Sequence, residues 1–168
     1  MAETKEKRLF YYKDFRYEYI SKSEMINILR EINERFCIDY DFYANGFVFV
    51  RSKDKIWLCR EELLRNDFSG VSLEGIGIVF ARITKKGVKL TTNIVQLFGK
   101  YFKKNVFDID DMMKEQYVRG IDLKKSLPTT SGYVVLKWKE HYLGIGLYNE
   151  YTQTIKNMIP KARRIKKL

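Results

Sequence analysis

Cysteine, proline and histidine are scarce in this chain. Its 168 residues include two cysteines, two prolines and one histidine. Cys37 and Cys59 are too few and too far apart for a disulfide framework or a zinc ribbon, so we expect a reducing, cytoplasmic compartment. Two prolines and ten glycines leave no low-complexity linker between domains.

Long apolar runs are missing as well. No stretch approaches the roughly 20 apolar residues of a membrane span. The opening MAETKEKR lacks the apolar core of a signal peptide, and we predict a disordered lead-in over residues 1–8. The composition is nevertheless 45% hydrophobic and 15% aromatic, which supplies enough apolar surface for one domain or two small ones.

The sequence offers little for catalysis. Its one histidine, His141, falls in a predicted turn at Lys139–Tyr142, where we expect an exposed side chain rather than a general base. Asp108, Asp110 and Asp111 suggest a metal site for phosphodiester chemistry, but carboxylates in a first helical turn usually cap the helix, and we favour that interpretation. We therefore expect no catalytic residue, no metal, no cofactor and no enzymatic activity.

Positive charge is concentrated in the second part of the chain. Residues 1–74 hold 13 basic and 14 acidic side chains, whereas residues 75–168 hold 19 basic and 7 acidic ones, so the net charges are −1 and +12. Such a distribution favours a polyanionic partner. Because the sequence has no long basic amphipathic helix and no lipidation motif, we expect nucleic acid rather than a membrane.

Residues 9–74 are predicted to form a small α+β domain. Aromatic residues alternating with charge over Leu9–Ile20 favour a strand or an extended arm. Ser21 and Glu24 form a capping box ahead of apolar residues at helical spacing, which predicts a helix over about residues 22–36. The remaining predicted elements are a strand at 40–43, a turn at Asn45-Gly46, strands at 47–51 and 56–59, a short helix near 60–65 and a domain boundary at 66–75.

Residues 75–168 are predicted to form a second α+β domain with a barrel-like sheet. Its elements are strands at 77–83 and 88–90, a helix capped by Thr92, an extended segment at 105–107, a helix that Asp108 or Asp110 caps and Gly120 ends, and a final group of strands. We expect Leu97, Met112 and Met113 on the buried faces of the two helices.

The last third of the chain combines basic and aromatic residues. Strand alternation assigns its residues to two faces, one with Val134, Leu136 and Trp138 and the other with Tyr133, Val135, Lys137 and Lys139. We expect the second face to be solvated and to suit a phosphate backbone with unstacked bases. A Gly-rich turn, a second strand and a cationic terminus are predicted to follow. An ordinary solvated face with a frayed basic tail stays open as an alternative.

Four short motifs in this region resemble a known module. They are YVRGIDL (117–123), SGYVVLKW (131–138), LGIGLY (143–148) and IKNMIPKARR (155–164). In this order they resemble the PUA-like RNA-binding domain at the C-terminal end of Sun-type (Fmu-like) RNA cytosine-5 methyltransferases, over about residues 75–167. The resemblance implies a small mixed pseudobarrel that holds structured RNA for a catalytic domain. It places on the family framework Arg119, Gly120, Tyr133, Lys137, Gly144 and Gly146, and on its closing basic motif Asn157, Pro160, Lys161 and Arg163.

The chain also departs from those enzymes. They carry a Rossmann-type cofactor domain ahead of the module and use a cysteine nucleophile that follows a proline. Here Phe36 precedes Cys37 and Leu58 precedes Cys59, and residues 1–74 are too few for such a domain. We therefore expect the RNA-holding part of such an enzyme without the methyltransferase domain.

The sequence thus predicts an α+β protein in which a small N-terminal helix-plus-antiparallel-strand unit precedes a PUA-like mixed pseudobarrel. We expect a non-catalytic protein that holds structured RNA (tRNA or rRNA), accessory to RNA modification or to ribosome or tRNA maturation. An RNA methyltransferase or a ribosome-assembly factor is the expected partner in trans. Two alternatives stay open: a metal-dependent RNA-processing enzyme that uses Asp108, Asp110 or Asp111, and a protein-interaction module at residues 9–68.

Ten residues are the candidates for RNA binding. They are Lys85, Lys86, Arg119, Gly120, Tyr133, Lys137, Lys156, Lys161, Arg163 and Arg164. Arginine side chains can fork onto phosphates, although Arg119 has an ion pair with Asp122 as an equal alternative. Tyr133, Tyr142 and Tyr148 are the candidates for base stacking.

Overall fold

The computed structural model describes residues 9–12, 15–66 and 75–166. The predicted lead-in at residues 1–8 and most of the predicted boundary at 66–75 lie outside these ranges. The described helices are α1 (Lys22–Phe36), α2 (Thr92–Phe98) and α3 (Asp111–Val118). The described strands are β1 (Leu9–Tyr12), β2 (Phe15–Tyr19), β3 (Phe47–Ser52), β4 (Lys55–Arg60), β5 (Ile78–Thr84), β6 (Gly87–Leu90), β7 (Val106–Asp108), β8 (Leu123–Lys124), β9 (Gly132–Trp138), β10 (His141–Asn149) and β11 (Thr154–Asn157).

The described residues divide into two packing units. The first comprises the residues up to Glu31 together with Tyr40–Val88, and the second comprises Ile32–Asp39 together with the residues from Lys89 onward. The strands form a six-stranded sheet of order β1-β2-β3-β4-β5-β6 and a curled, mixed five-stranded sheet of order β7-β9-β10-β11-β8. The predicted α+β class is therefore confirmed. The domain limits 9–74 and 75–168 stay a prediction; along the chain, the packing units change at Glu31/Ile32, Asp39/Tyr40 and Val88/Lys89.

The first unit is built around antiparallel strands that are buried on both faces. Val48 and Val50 of β3 pack in one cluster with Trp57, whereas Phe49 between them makes edge-on ring contacts with Phe42 and Phe80. This opposite placement of neighbouring residues follows from the two-residue period of a strand. Both faces of β3, a central strand of this sheet, are therefore buried.

Most elements of the first unit agree with the sequence, with two differences. Helix α1 has the predicted limits, and the Ser21 hydroxyl accepts a hydrogen bond from the Glu24 backbone N–H at 3.2 Å. The segment at 9–20, predicted as a strand or an extended arm, forms two strands, β1 and β2, that pair antiparallel. The strand predicted at 40–43 is wrong, because the Asp41 side chain accepts from the Ala44 N–H and holds a turn there.

The second unit is built around β9, the strand between β7 and β10. β7 pairs with β9 in parallel, and β10 pairs with β9 and β11 antiparallel. The apolar core between this sheet and α3 comprises Ile109, Tyr117, Leu123, Leu127, Val134, Leu136, Tyr148, Ile155 and Ile159. The Tyr117 hydroxyl donates to the Ile145 carbonyl at 2.9 Å, which ties α3 to the sheet.

The glycines of β10 correct one prediction. Gly144 and Gly146 lie inside the strand, so the predicted Gly-rich turn is wrong. Gly144 has φ +155°, and a Cβ there would lie 2.7 Å from the Tyr117 hydroxyl oxygen. A Cβ at Gly146 would meet the side chain of Ile155. These glycines are needed because neighbouring side chains leave no space for a larger residue.

The two short helices show a second correction. Asp110 caps α3, since its carboxylate accepts from the Met113 N–H at 2.7 Å, and Thr91 rather than Thr92 caps α2. Leu97 is 58% exposed and Met112 is 65% exposed, so their predicted burial is wrong. Helices of two turns present few residues to the core, and the remaining apolar positions face solvent.

Candidate nucleic-acid interface

The predicted solvated face of β9 is dry over most of its length. Tyr133 is 8% exposed and Val135 is fully buried, as are Val134 and Leu136 on the opposite face. A strand with neighbours on both sides is covered on both faces here, which alternation alone cannot reveal. The ring of Tyr133 is therefore packed inside the protein and does not offer a face for base stacking.

The other two tyrosines proposed for stacking are also engaged within the unit. Tyr148 is 3% exposed, and its hydroxyl accepts from the Leu127 N–H at 3.1 Å. Tyr142 is half-buried, and its ring lies so close to Gly99 that a Cβ at Gly99 would overlap it. The prediction of stacking on Tyr148 is wrong, because a core ring cannot reach a base.

The exposed part of β9 begins at Lys137 and continues into the hairpin with β10. The Lys137 ammonium lies 4.0 Å from a carboxylate oxygen of Asp108 and 5.8 Å from the ring centroid of Tyr142. The next residue, Trp138, pairs with His141 across the hairpin. Positive and aromatic groups therefore meet at this end of the sheet.

Trp138 is the centre of a group that we call the hairpin platform, comprising Trp138, His141, Lys114 and Lys139. The Trp138 indole N–H donates to a carboxylate oxygen of Asp111 at 2.7 Å. The His141 ring stacks on the indole with centroids 5.7 Å apart and planes at 22°. The ammonium groups of Lys139 and Lys114 lie 4.5 and 4.9 Å from the Trp138 ring, within cation–π range.

A second basic region lies at the opposite end of α3. Arg119 follows the helix, and its guanidinium lies 3.5 Å from Glu115. The alternative pairing with Asp122 is not formed, because the Asp122 carboxylate accepts from the Asn157 backbone N–H at 2.7 Å. Gly120 ends the helix with φ +85°, and the side chain of Arg164 crosses it so closely that a Cβ would overlap it.

The residues that we call the closing segment, Lys161–Arg164, differ in exposure. Lys161 and Arg163 are exposed, and the Arg163 guanidinium donates to the Asn93 side chain at 2.6 Å. Arg164 is half-buried against Gly120 and donates to the Ile159 carbonyl at 3.4 Å. The sequence treated the two arginines alike, whereas the structure assigns Arg163 to the surface and Arg164 to packing.

Several predicted cations carry no compensating charge. Within the described ranges, no carboxylate lies within 4.0 Å of the charged groups of Lys156, Lys161, Arg163 or Arg164. Lys156 is exposed on β11, next to the buried Asn157. The three exposed side chains of this set, Lys156, Lys161 and Arg163, are available for a phosphate, the main anionic group of a nucleic-acid surface.

Lys85 and Lys86 stand apart from the other predicted residues. They are exposed in the turn between β5 and β6 and belong to the first packing unit, whereas the other eight candidates belong to the second. Of those eight, Arg119 and Gly120 follow α3 and Arg164 crosses Gly120, whereas Arg163 contacts Asn93 of α2 and Tyr133 is buried.

The three aspartates that suggested a metal site have other partners. Asp110 caps α3, Asp111 holds the Trp138 indole and Asp108 faces Lys137. Over the described ranges, no group of three His, Cys, Asp or Glu side chains is placed to hold a metal ion. The capping interpretation is confirmed for Asp110.

The two cysteines differ in their exposure to solvent. Cys59 is 3% exposed, and burial raises the pKa of its thiol to about 11, whereas Cys37 is exposed. Tyr17, part of the aromatic stretch that a protein-interaction module would use, is 2% exposed. None of the helices that the structure describes is long and apolar enough to cross a membrane.

Trp138 is the residue that the sequence reasoning missed. It was assigned to the buried face together with Val134 and Leu136, yet it lies at the rim of the core with its ring between charged and aromatic groups. A signal was present, since lysines flank Trp138 on both sides and His141 follows three residues later. A tryptophan between two lysines at the end of a strand favours an exposed ring over a core one.

Comparison with known proteins confirms the predicted resemblance. Residues 104–165 match the family model for the "Methyltransferase RsmF PUA domain", a shorter segment than the 75–167 predicted from the motifs. The chain is 25% identical over 147 residues to the "Ribosomal RNA small subunit methyltransferase F" of Aeromonas salmonicida (strain A449). The alignment covers 88% of this chain and 29% of that relative. The matched segment contains α3, the hairpin platform and the closing segment, and the match points to RNA binding.

Proposed function

We propose that the second packing unit holds structured RNA, either tRNA or rRNA, without catalysing a reaction itself. One observation carries this proposal: the segment similar to the PUA domain contains exposed cations on β11 and in the closing segment that have no carboxylate partner. Such cations attract a phosphate backbone and release its counterions. The backbone contacts would position the RNA, and a few aromatic or backbone groups would supply selectivity.

The residues that carry this binding are best tested in the closing segment. Lys161→Ala combined with Arg163→Ala removes two exposed cations that pack in no core. Arg164 is left in place, because its side chain packs on Gly120 and its loss would disturb the fold as well as the binding. The matched control is Lys22→Ala with Arg30→Ala, which removes the same charge from the exposed surface of α1 in the first unit.

Binding is measured by fluorescence anisotropy with tRNA, rRNA fragments and duplex DNA at several salt concentrations. The wild-type chain is expected to prefer structured RNA, and the closing-segment variant to lose about five-fold or more in affinity. The plot of log affinity against log salt has a negative slope, and each lost phosphate contact is expected to make that slope less negative by about 0.7–0.9. Equal losses in the control, or equal binding to all polyanions that salt abolishes, would overturn the proposal.

The same proposal includes a partner in trans. The relative of this chain is by name an rRNA methyltransferase, of which the alignment covers 29%. We infer that the chain serves an RNA-modifying enzyme or a ribosome-assembly factor by presenting the RNA to it. Methyl transfer to rRNA by such a methyltransferase, measured with and without the chain, is expected to increase at limiting RNA concentration. No change on addition of the chain would contradict this part alone.

A further inference from the structure

We infer that the hairpin platform stacks one unpaired nucleobase of the bound RNA; this inference rests on the proposed function and names the part of the RNA that the site reads. Two aromatic rings already stacked at the end of a hairpin form a surface that a third ring can extend. Such stacking is how proteins commonly hold unpaired bases, whatever the base identity.

Contacts within the protein hold the Trp138 indole in place before any ligand binds. The Asp111 carboxylate fixes the orientation of the Trp138 indole through a 2.7 Å hydrogen bond, and Asp111 lies in the first turn of α3. The indole also packs against the apolar core of the second unit. A ring held from two sides loses little conformational entropy when a base stacks on the group.

His141 forms the solvent-facing part of the hairpin platform. His141 is exposed, and its ring lies nearly parallel to the indole. It pairs directly with Trp138 in the register of β9 and β10, so the backbone sets their separation. One face of the histidine ring therefore packs on Trp138, and the exposed part of the ring is available to a planar ligand.

The charges at and around the platform differ from those of the closing segment. Lys114 lies 2.6 Å from Glu115, and Lys137 lies 4.0 Å from Asp108. Lys139 is exposed and has no carboxylate within 4.0 Å among the described residues. Of the two cations of the platform, Lys114 has a carboxylate partner, and Lys139 has none among the described residues. The contribution of the platform therefore comes from stacking with at most one phosphate contact.

Helix α3 connects the platform to the basic region at its other end. Helix α3 contacts the platform at Asp111, in its first turn, and the Gly120–Arg164 contact lies just past its last turn. A helix of eight residues spans about 12 Å. An RNA whose paired region contacts the closing segment would therefore bring an adjacent unpaired nucleotide to the platform.

The experiment compares two RNA hairpins that differ by one unpaired 2-aminopurine nucleotide. The full chain is expected to bind the hairpin with the unpaired nucleotide about five-fold or more tightly, and to quench the 2-aminopurine fluorescence. His141→Ala is expected to remove the preference and the quenching while leaving affinity for the fully paired hairpin unchanged. His141→Phe is expected to restore both, because the ring and not the imidazole nitrogen does the stacking. The preference is expected to persist as salt lowers both affinities.

Tyr151→Ala is the matched control, because Tyr151 is an aromatic residue 89% exposed in the turn between β10 and β11. Equal binding of the two hairpins by the wild-type chain, a preference that survives His141→Ala, or the same loss in Tyr151→Ala would each overturn the inference. Failure of the proposed function has a different signature, since the fully paired hairpin would then not bind either. The affinity for the fully paired hairpin tests the proposed function, and the preference for the hairpin with the unpaired nucleotide tests the stacking site.

Discussion

Asn157 lies within the closing basic motif of the resemblance, yet the structure assigns it to packing and not to RNA. It is 7% exposed. Its side-chain amide donates to the Tyr117 carbonyl at 2.7 Å and to the Ile121 carbonyl at 3.1 Å, and its side-chain oxygen accepts from the Ile159 N–H at 2.9 Å. Asn157→Ala removes all three hydrogen bonds, of which the first two join β11 to the end of α3 and the third holds the chain just after β11. We expect this change to destabilise the protein without weakening RNA binding.

The expected loss in the free energy of unfolding follows from what each hydrogen-bond partner of Asn157 loses. The Tyr117 carbonyl keeps its hydrogen bond from the Gly120 N–H, and Ile121 is 50% exposed, so water can replace the lost donor there. Each of these two losses costs about 0.5–1 kcal/mol. The Ile159 N–H is left in a residue 8% exposed, and an orphaned buried donor costs about 1–3 kcal/mol. The total is about 3 kcal/mol, which corresponds to a fall in Tm of about 6–12 °C for a chain of this size.

Thermal unfolding followed by circular dichroism measures this loss, with Asn27→Ala as control. Asn27 is exposed on α1, and such a surface substitution stays within about 0.5 kcal/mol of the wild type. RNA affinity is measured well below the transition of the variant. A fall in Tm no larger than that of the control would refute the reasoning about Asn157. Lost RNA affinity in a chain of unchanged stability would show instead that the side chain contacts RNA.

Two further predictions concern the cap of α3 and the cysteines. Asp110→Ala removes the hydrogen bond to the Met113 N–H and is expected to lower the free energy of unfolding by about 1 kcal/mol in urea titrations, whereas Asp110→Asn, an equally good cap, is expected to keep it; equal losses would contradict the capping role. A thiol reagent at neutral pH is expected to label one cysteine per native chain, the exposed Cys37, and the second only on unfolding, because Cys59 is buried with a raised pKa; labelling of both at one rate would show that Cys59 is accessible. Since the unfolded thiol ionises near pH 9 and the folded one at about 11, the unfolded state binds fewer protons between these values, and the contribution of Cys59 to stability is expected to fall as pH rises through this range.

The sequence correctly predicted the elements whose limits depend on residues close together in the chain. Helix α1 follows the prediction to the residue because its start is set by the Ser21 hydroxyl and its face by apolar residues at helical spacing. The end of α3 was predicted at Gly120 because the left-handed conformation there favours glycine. The capping role of Asp110 was predictable for the same reason, since the hydrogen bond spans only three residues.

The errors arise where distant parts of the chain decide the outcome. Gly144 and Gly146 resemble turn residues, yet Tyr117 and Ile155, which lie elsewhere in the chain, remove the space for a side chain. Tyr133 and Val135 alternate like a solvated face, yet the position of β9 inside the sheet buries them. Alternation shows that a strand has two faces, but only the completed sheet shows which of them is covered.

The two basic regions of the second unit differ in how they would bind RNA, and the sequence alone does not distinguish them. In the closing segment, Lys161 and Arg163 have no acidic partner, whereas Arg164 and the neighbouring Asn157 hold β11 and the chain after it against α3. At the hairpin platform, Lys114 is paired with Glu115 and Lys139 lies over the Trp138 ring, and the distinguishing feature is the stacked pair of aromatic rings. Charge without partners supplies long-range attraction that salt weakens, and a stacked ring supplies short-range recognition that salt leaves intact. An RNA that binds both the closing segment and the hairpin platform, as proposed, carries a paired region next to an unpaired base. This requirement restricts the class of RNA ligand more than net charge alone does.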